Sequence, residues 1–244
     1  MPAISPAPRL PVIDVLRGFA VAQMIVYHFI YDLNHFGWVK LRMFHEQPWI
    51  GWRTAIVTQF LLLVGVSLVL RASFNPGPHG FWWRWVQVAA AAALVSAGSA
   101  LLLGPRFIWF GILHFIAAAL ILVRPLVPLG AWNLLLGAAV IAFGLLYADP
   151  VFNTFPAAIV GLVTRKPITE DYVPLLPWLG VVLVGAGLGA LWQQRGWRVA
   201  PVLQPLNESP PRLLLVLGTW SLTVYLVHQP LMIGAMALAR QLGL

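Results

Sequence analysis

The chain has 244 residues, of which 60% are apolar and 9% charged, with twelve tryptophans and a mean hydropathy of +0.85. A soluble domain carries about 25% charged residues, so this composition excludes a water-soluble globule and points to an integral membrane protein of the inner-membrane type. The formal net charge of +8 is spread over short connections with no basic run; that pattern suits anionic lipid headgroups and topology signals and argues against nucleic acid as a partner.

Runs of about 20 apolar residues, enough to cross a hydrocarbon core, fall near 12–33, 54–72, 82–103, 107–123, 130–148, 173–193 and 213–239. The expected fold is all-α: a polytopic transmembrane helix bundle of about seven spans. Short connections after the second, third and fourth runs make residues 1–244 read as a single domain. Two longer connections break the rhythm. The first, 34–53, carries His35, Trp38, His45, Trp49 and Trp52; in the second, 149–172, the stretch 155–163 is apolar enough to lie in the interface or re-enter the bundle. Segment 194–212, with Arg195, Arg198, Arg212 and four prolines, reads as a surface linker. The first run spans fully and lacks a following small-residue cleavage pattern, so it reads as a retained helix rather than a signal peptide. Without cysteine there is no disulfide framework, thiolate nucleophile or zinc–thiolate site. With the N-terminus inside, basic residues divide evenly, Arg9, Arg71, Arg84, Arg124, Arg195, Arg198 and Arg212 inside against Lys40, Arg42, Arg53, Arg106, Arg165, Lys166 and Arg240 outside; Arg17 tips the balance toward that orientation.

The first span carries Asp14, Arg17, His28 and Asp32. At about 100° per residue their spacings return to within roughly a 60° sector, a polar stripe on an apolar helix. Each ion near a bilayer centre costs about 2.5–3.5 kcal/mol, so such residues face a protein interior or a wet cavity. The i, i+4 spacing of His28 and Asp32 lets the carboxylate orient the ring and stabilise an imidazolium. His28 lies near the exit of its span, His114 about two turns into the fourth, Asp171 at the mouth of the sixth, and His228 about four turns along the seventh. These depths place three histidines and two carboxylates in one half of the membrane, the materials of general acid–base catalysis.

Each group also has a structural reading. Arg17 can pair with Asp14, His114 can bond a neighbouring helix, and His228, just before Pro230, can satisfy a carbonyl that the proline frees. His35, His45 and His79 fall in loops; Trp38, Trp49, Trp52, Trp109 and Trp178 fit an aromatic belt, and Gly180, Gly185, Gly187 and Gly189 suggest close helix packing. The same residues admit two other classes, a proton-coupled lipid or sugar carrier and a bis-histidine haem electron carrier.

Four segments, "DVLRGFAVAQMIVYHFIYDLNHFG", "FIWFGILHFIA", "TEDYVPLLPWLG" and "LGTWSLTVYLVHQPLM", in this order and spread over nearly the whole chain, resemble the bacterial relatives of the heparan-α-glucosaminide N-acetyltransferase catalytic domain. The resemblance implies a multi-pass acyltransferase of the bacterial inner membrane that takes acetyl from acetyl-CoA on the cytoplasmic side and passes it to a sugar or glycan, with no metal. It implies Arg17 beside the donor, His28 as the base or a transient acyl carrier, and His114 with Asp171 at the acceptor end; Asp32 joins the catalytic set through its spacing from His28. The lysosomal member differs in carrying an amide at the His28 position and its active histidine in the following loop, nearest here to His45; placement on a helix favours His28.

Overall fold

The computed structural model describes residues 10–74 and 77–242; Arg9, counted above on the inner side, lies outside them. Among the described residues the chain is helical, with one isolated parallel bridge between Phe110 and Tyr172. The helices are α1 (Pro11–His35), α2 (Gln47–Phe74), α3 (Pro78–Leu103), α4 (Ile112–Val123), α5 (Asn133–Leu146), α6 (Trp178–Gln194), α7 (Gln204–Glu208), α8 (Arg212–Thr219) and α9 (Ser221–Gln241). Proline opens α1 and α3, where its missing N–H costs nothing and its fixed φ suits the first turn.

Five helical runs are long and apolar enough to cross a membrane, Pro11–His35, Gln47–Phe74, Pro78–Arg106, Ile112–Leu146 and Ser221–Gln241, and α6 is a shorter apolar helix. The protein is a polytopic transmembrane α-helical protein, with about seven spans when the two limbs of Ile112–Leu146 are counted separately. Those limbs, α4 and α5, are the expected fourth and fifth runs. A 3₁₀ stretch, Arg124–Trp132, joins them, and inside it Gly130 takes φ 59°, a left-handed conformation that ends a right-handed path. The expected seventh run, 213–239, is two helices: the chain breaks at Trp220 (φ −99°, ψ 20°) between α8 and α9. Pro230 sits inside α9, which continues past it.

The chain forms two compact units, one of residues 61–198 and one, hereafter the terminal unit, of 10–60 with 199–242. Glycines set the helix spacing in each. In the terminal unit, a Cβ on Gly18 of α1 would overlap the Leu214 carbonyl oxygen of α8, and one on Gly218 would overlap the Asp14 carbonyl oxygen, so the two backbones touch. Beside that crossing lies a core of Val21, Met24, Tyr27, Met43 and Ile56. In the 61–198 unit, Gly137 of α5 and Gly180 of α6 face each other, each occupying the space where the other's Cβ would meet a carbonyl oxygen at 2.6 and 2.5 Å respectively. Gly185 meets the Leu62 backbone of α2 in the same way. Small residues let helices approach where lipid offers no hydrophobic drive to association.

Candidate active site

In the terminal unit, α1 and α9 bring two histidines 200 residues apart into contact. His28 Nδ1 lies 2.8 Å from His228 Nε2, and the rings stack at 5.0 Å with 21° between their planes. The proton positions follow from what His228 does with its other nitrogen. Its Nδ1 lies 2.8 Å from the Tyr225 carbonyl oxygen and 3.1 Å from that of Val224. Carbonyls only accept, so Nδ1 of His228 carries the hydrogen and, in the neutral ring, Nε2 is the acceptor. His28 must then donate from Nδ1, which leaves the lone pair of His28 on Nε2. Helix backbone, His228 and His28 thus form an ordered chain of donors and acceptors ending in a base. No hydrogen bond to that Nε2 occurs among the described residues.

Asp32, expected to orient His28, does not hydrogen-bond it. The carboxylate is 2% exposed, and its Oδ1 accepts from the Gln229 side-chain amide at 2.8 Å. His28 and Asp32 share a face of α1, but each has its partner on α9, where His228 and Gln229 are consecutive. Asp32 Oδ2 and Gln229 Oε1 are both buried without a hydrogen-bond partner. His228 bonds the carbonyls three and four residues back, rather than the Leu226 carbonyl that Pro230 leaves without a donor.

Toward the start of α1, Arg17 Nη1 donates to Asp14 Oδ1 at 2.8 Å, an i, i+3 pair in which both side chains are partly buried. Farther along, Gln23 donates to Gln59 Oε1 at 3.0 Å and accepts from the Trp52 indole at 3.2 Å. His45 is exposed in the connection after α1.

The 61–198 unit contains a second polar cluster. Asp171 Oδ2 accepts from the Ile112 N–H at 2.9 Å, capping α4 from 59 residues away, and a Cβ on Gly111 would run into that carboxylate. His114, in the first turn of α4, accepts at Nδ1 from the Gly111 N–H at 3.3 Å; its Nε2 therefore carries the hydrogen and donates to Ser96 Oγ at 3.0 Å. Ser96 passes its own hydroxyl hydrogen to the Ile108 carbonyl at 2.6 Å, and the Ile108 N–H donates to Ser99 Oγ at 2.9 Å. Both ring nitrogens of His114 are thus engaged in holding the turn that leads into α4. Nearby, the Tyr172 hydroxyl donates to the Ala158 carbonyl at 2.6 Å, and burial pushes its pKa up to about 12.

Gln229, Ser96 and Ser99 have no part in the sequence-based expectation, and His228 enters it with a structural alternative. An uncharged polar residue in an apolar run gives little warning on its own; the signal available was the adjacency of Gln229 to His228.

The sequence matches the profile of one protein family, described as heparan-alpha-glucosaminide N-acetyltransferase, catalytic, over residues 9–230. The chain belongs to this family. The heparan-alpha-glucosaminide N-acetyltransferase match runs from before α1 to Pro230 and includes every residue of both polar clusters. Membership makes the protein a membrane acyltransferase of the acetyltransferase type, in keeping with its membrane-crossing helices. No curated protein and no solved structure is significantly similar to the chain.

Proposed function

We propose that residues 1–244 act as one catalytic domain in a bacterial inner membrane, moving acetyl from acetyl-CoA to an amino or hydroxyl group of a sugar or glycan, with His28 as the base. The observation that carries this reading is the His28–His228 contact and the proton order it imposes. A base needs a lone pair aimed at the substrate and a partner that holds its other nitrogen as the charge develops. His28 Nε2 is that lone pair, and His228 Nε2 is the partner that accepts from His28 Nδ1–H.

In the reaction, His28 Nε2 takes a proton from the acceptor as its nitrogen or oxygen attacks the acetyl carbonyl carbon. The bond to sulfur then breaks, and the thiolate of coenzyme A leaves. The positive charge on His28 is steadied by His228, whose own hydrogen stays on Nδ1, donated to the Tyr225 carbonyl. Arg17 serves the donor: a guanidinium suits phosphate and pantetheine carbonyl groups, and its pairing with Asp14 fixes it at the start of α1. His114 and Asp171 are positioning residues within the 61–198 unit, where they hold the entry to α4.

The test is transfer of labelled acetyl from acetyl-CoA to candidate glycans by the purified protein in lipid vesicles, read by mass spectrometry of the product. A general base contributes about 10²–10⁴-fold, so His28→Ala should lower turnover by that factor in a protein that still folds and inserts. Undiminished turnover in that variant overturns the assignment of the base.

A further inference from the structure

One end of the 61–198 unit gathers positive charge without counter-charge, and the helix contacts fix which residues share that end. Gly185 of α6 meets Leu62 of α2, Gly189 meets Val66 and Val69, and the rings of Trp197 and Phe74 lie 6.2 Å apart. The two helices therefore run parallel and finish together, with Arg71 close to level with Arg195. The end of α2 leads directly into the start of α3, and Arg124, just past α4, lies 4.0 Å from the centre of the Phe81 ring and 6.0 Å from that of Trp82, both near the start of α3. Arg71, Arg84, Arg124, Arg195 and Arg198 thus stand at one end. The acidic residues of this unit stand at the other: Asp171 caps the start of α4, Glu170 pairs with Arg106 just past α3, and Asp149 caps the short helix after α5. Among the described residues no carboxylate pairs with Arg71, Arg124, Arg195 or Arg198.

We propose that this end binds the headgroup of an anionic phospholipid. A guanidinium meets a phosphate with two parallel N–H donors, and Arg84, Arg195 and Arg198 are exposed while Arg71 and Arg124 are half-buried. Two features select a lipid over a soluble phosphate compound. The arginines alternate with indoles, of which Trp83 and Trp132 are 67% and 71% exposed; an indole settles at the headgroup level because its ring is apolar and its N–H polar. Exposed Leu122 and Leu129 adjoin Arg124 in the chain, a surface for acyl chains that a nucleotide or free phosphate has no use for. The backbone serves the same end. After α6 the chain turns through Gly196 (φ 65°) and Trp197 (φ 58°), a left-handed conformation uncommon for a bulky residue. Trp192 holds the turn: its ring meets that of Trp197 at 5.3 Å, and its indole N–H donates to the Arg198 carbonyl at 2.8 Å. Arg195 and Arg198 are thereby kept at the rim, flanking an indole, instead of being carried away on a longer helix. The site lies wholly within the 61–198 unit, and its occupancy does not depend on the assignment of His28.

The test is native mass spectrometry of the purified full-length protein in detergent, titrated with phosphatidylglycerol and with phosphatidylcholine of the same acyl chains. Phosphatidylglycerol should be retained at least about tenfold more tightly, since each arginine near an anionic lipid is worth about fivefold. The double variant Arg195→Gln, Arg198→Gln alters exposed side chains alone, so it should fold, which its thermal unfolding in detergent checks; it should lower the preference by at least about fivefold. Arg165→Gln with Lys166→Gln removes the same charge from the opposite end and should leave the preference unchanged. Equal retention of the two lipids, an undiminished preference in the Arg195, Arg198 variant, or an equal loss in the Arg165, Lys166 variant overturns the proposal. Release of bound phosphatidylglycerol by coenzyme A or inorganic pyrophosphate at matched concentration would assign the arginines to a soluble phosphate compound and overturn it as well.

Discussion

At the scale of single residues, the main result is a proton order set by atoms that cannot change role. A backbone carbonyl accepts, so His228 Nδ1 donates, and the lone pair is passed to His28 Nε2. His228→Ala should therefore lower kcat by about 10²-fold with little change in KM, the pattern of an interaction that strengthens as charge develops. His228→Gln, whose side-chain oxygen can accept from His28 Nδ1–H, should recover part of the rate; steady-state kinetics on the three proteins decides it. Tyr172 offers a residue-scale check outside the spans. Burial raises its folded pKa to about 12, whereas an unfolded tyrosine titrates near 10. Between those values the unfolded chain ionises and the folded one does not, so this tyrosine's contribution to stability is intact below about pH 10 and is lost as pH rises through about 12. The tyrosinate absorbance removed by Tyr172→Phe should thus appear near pH 12; an ordinary midpoint would show the phenol to be solvated.

Elements here meet through glycine and through caps supplied from a distance. The α1–α8 crossing leaves no room for a methyl at Gly218, because the opposing atoms are backbone and cannot rotate away. Gly218→Ala should cost at least about 1–3 kcal/mol, as overpacking does, and lower the midpoint of thermal unfolding in detergent, whereas Gly234→Ala, with open space around it, should not. The start of α4 tests Asp171 in a similar way. Asp171→Ala removes a cap and should cost about 0.5–2 kcal/mol, while Asp171→Asn keeps the acceptor oxygen and loses only the smaller charge–dipole contribution of about 0.3–1 kcal/mol. If Asp171 is a positioning residue, transfer activity should follow stability through this pair; a large loss of activity in a stable Asp171→Asn would give the carboxylate a chemical role.

For the whole molecule, the distribution of exposure is that of a protein solvated by lipid. Leu101, Leu102 and Leu146 are 88%, 84% and 87% exposed, while Asp32 and Asn133 are 2% and 0% exposed. The absence of cysteine makes the orientation directly measurable. With the N-terminus inside, a cysteine introduced at exposed Lys40 or Arg165 should react in intact cells with a maleimide that does not cross the membrane, and one at Arg195 should react only after lysis; the reverse pattern would invert the topology.

Composition and run length were sufficient to establish a membrane-crossing, all-helical chain, because apolar length against bilayer thickness is a one-dimensional comparison. They also located most helices, and they set α4 apart from α5, since Gly130 and Pro128 interrupt the pattern between them. The break at Trp220 left a weaker mark: Gly218 stands two residues before it and Thr219 and Ser221 flank it, but the run on either side stays apolar, so length alone reads it as one span. Hydrogen-bond partnerships were the least legible. Spacing put His28 and Asp32 on one face of α1, but a shared face does not say which neighbour reaches first. That depended on α9 presenting His228 and Gln229 at the same level, a contact between segments some 200 residues apart whose distance is set by packing rather than by any local preference.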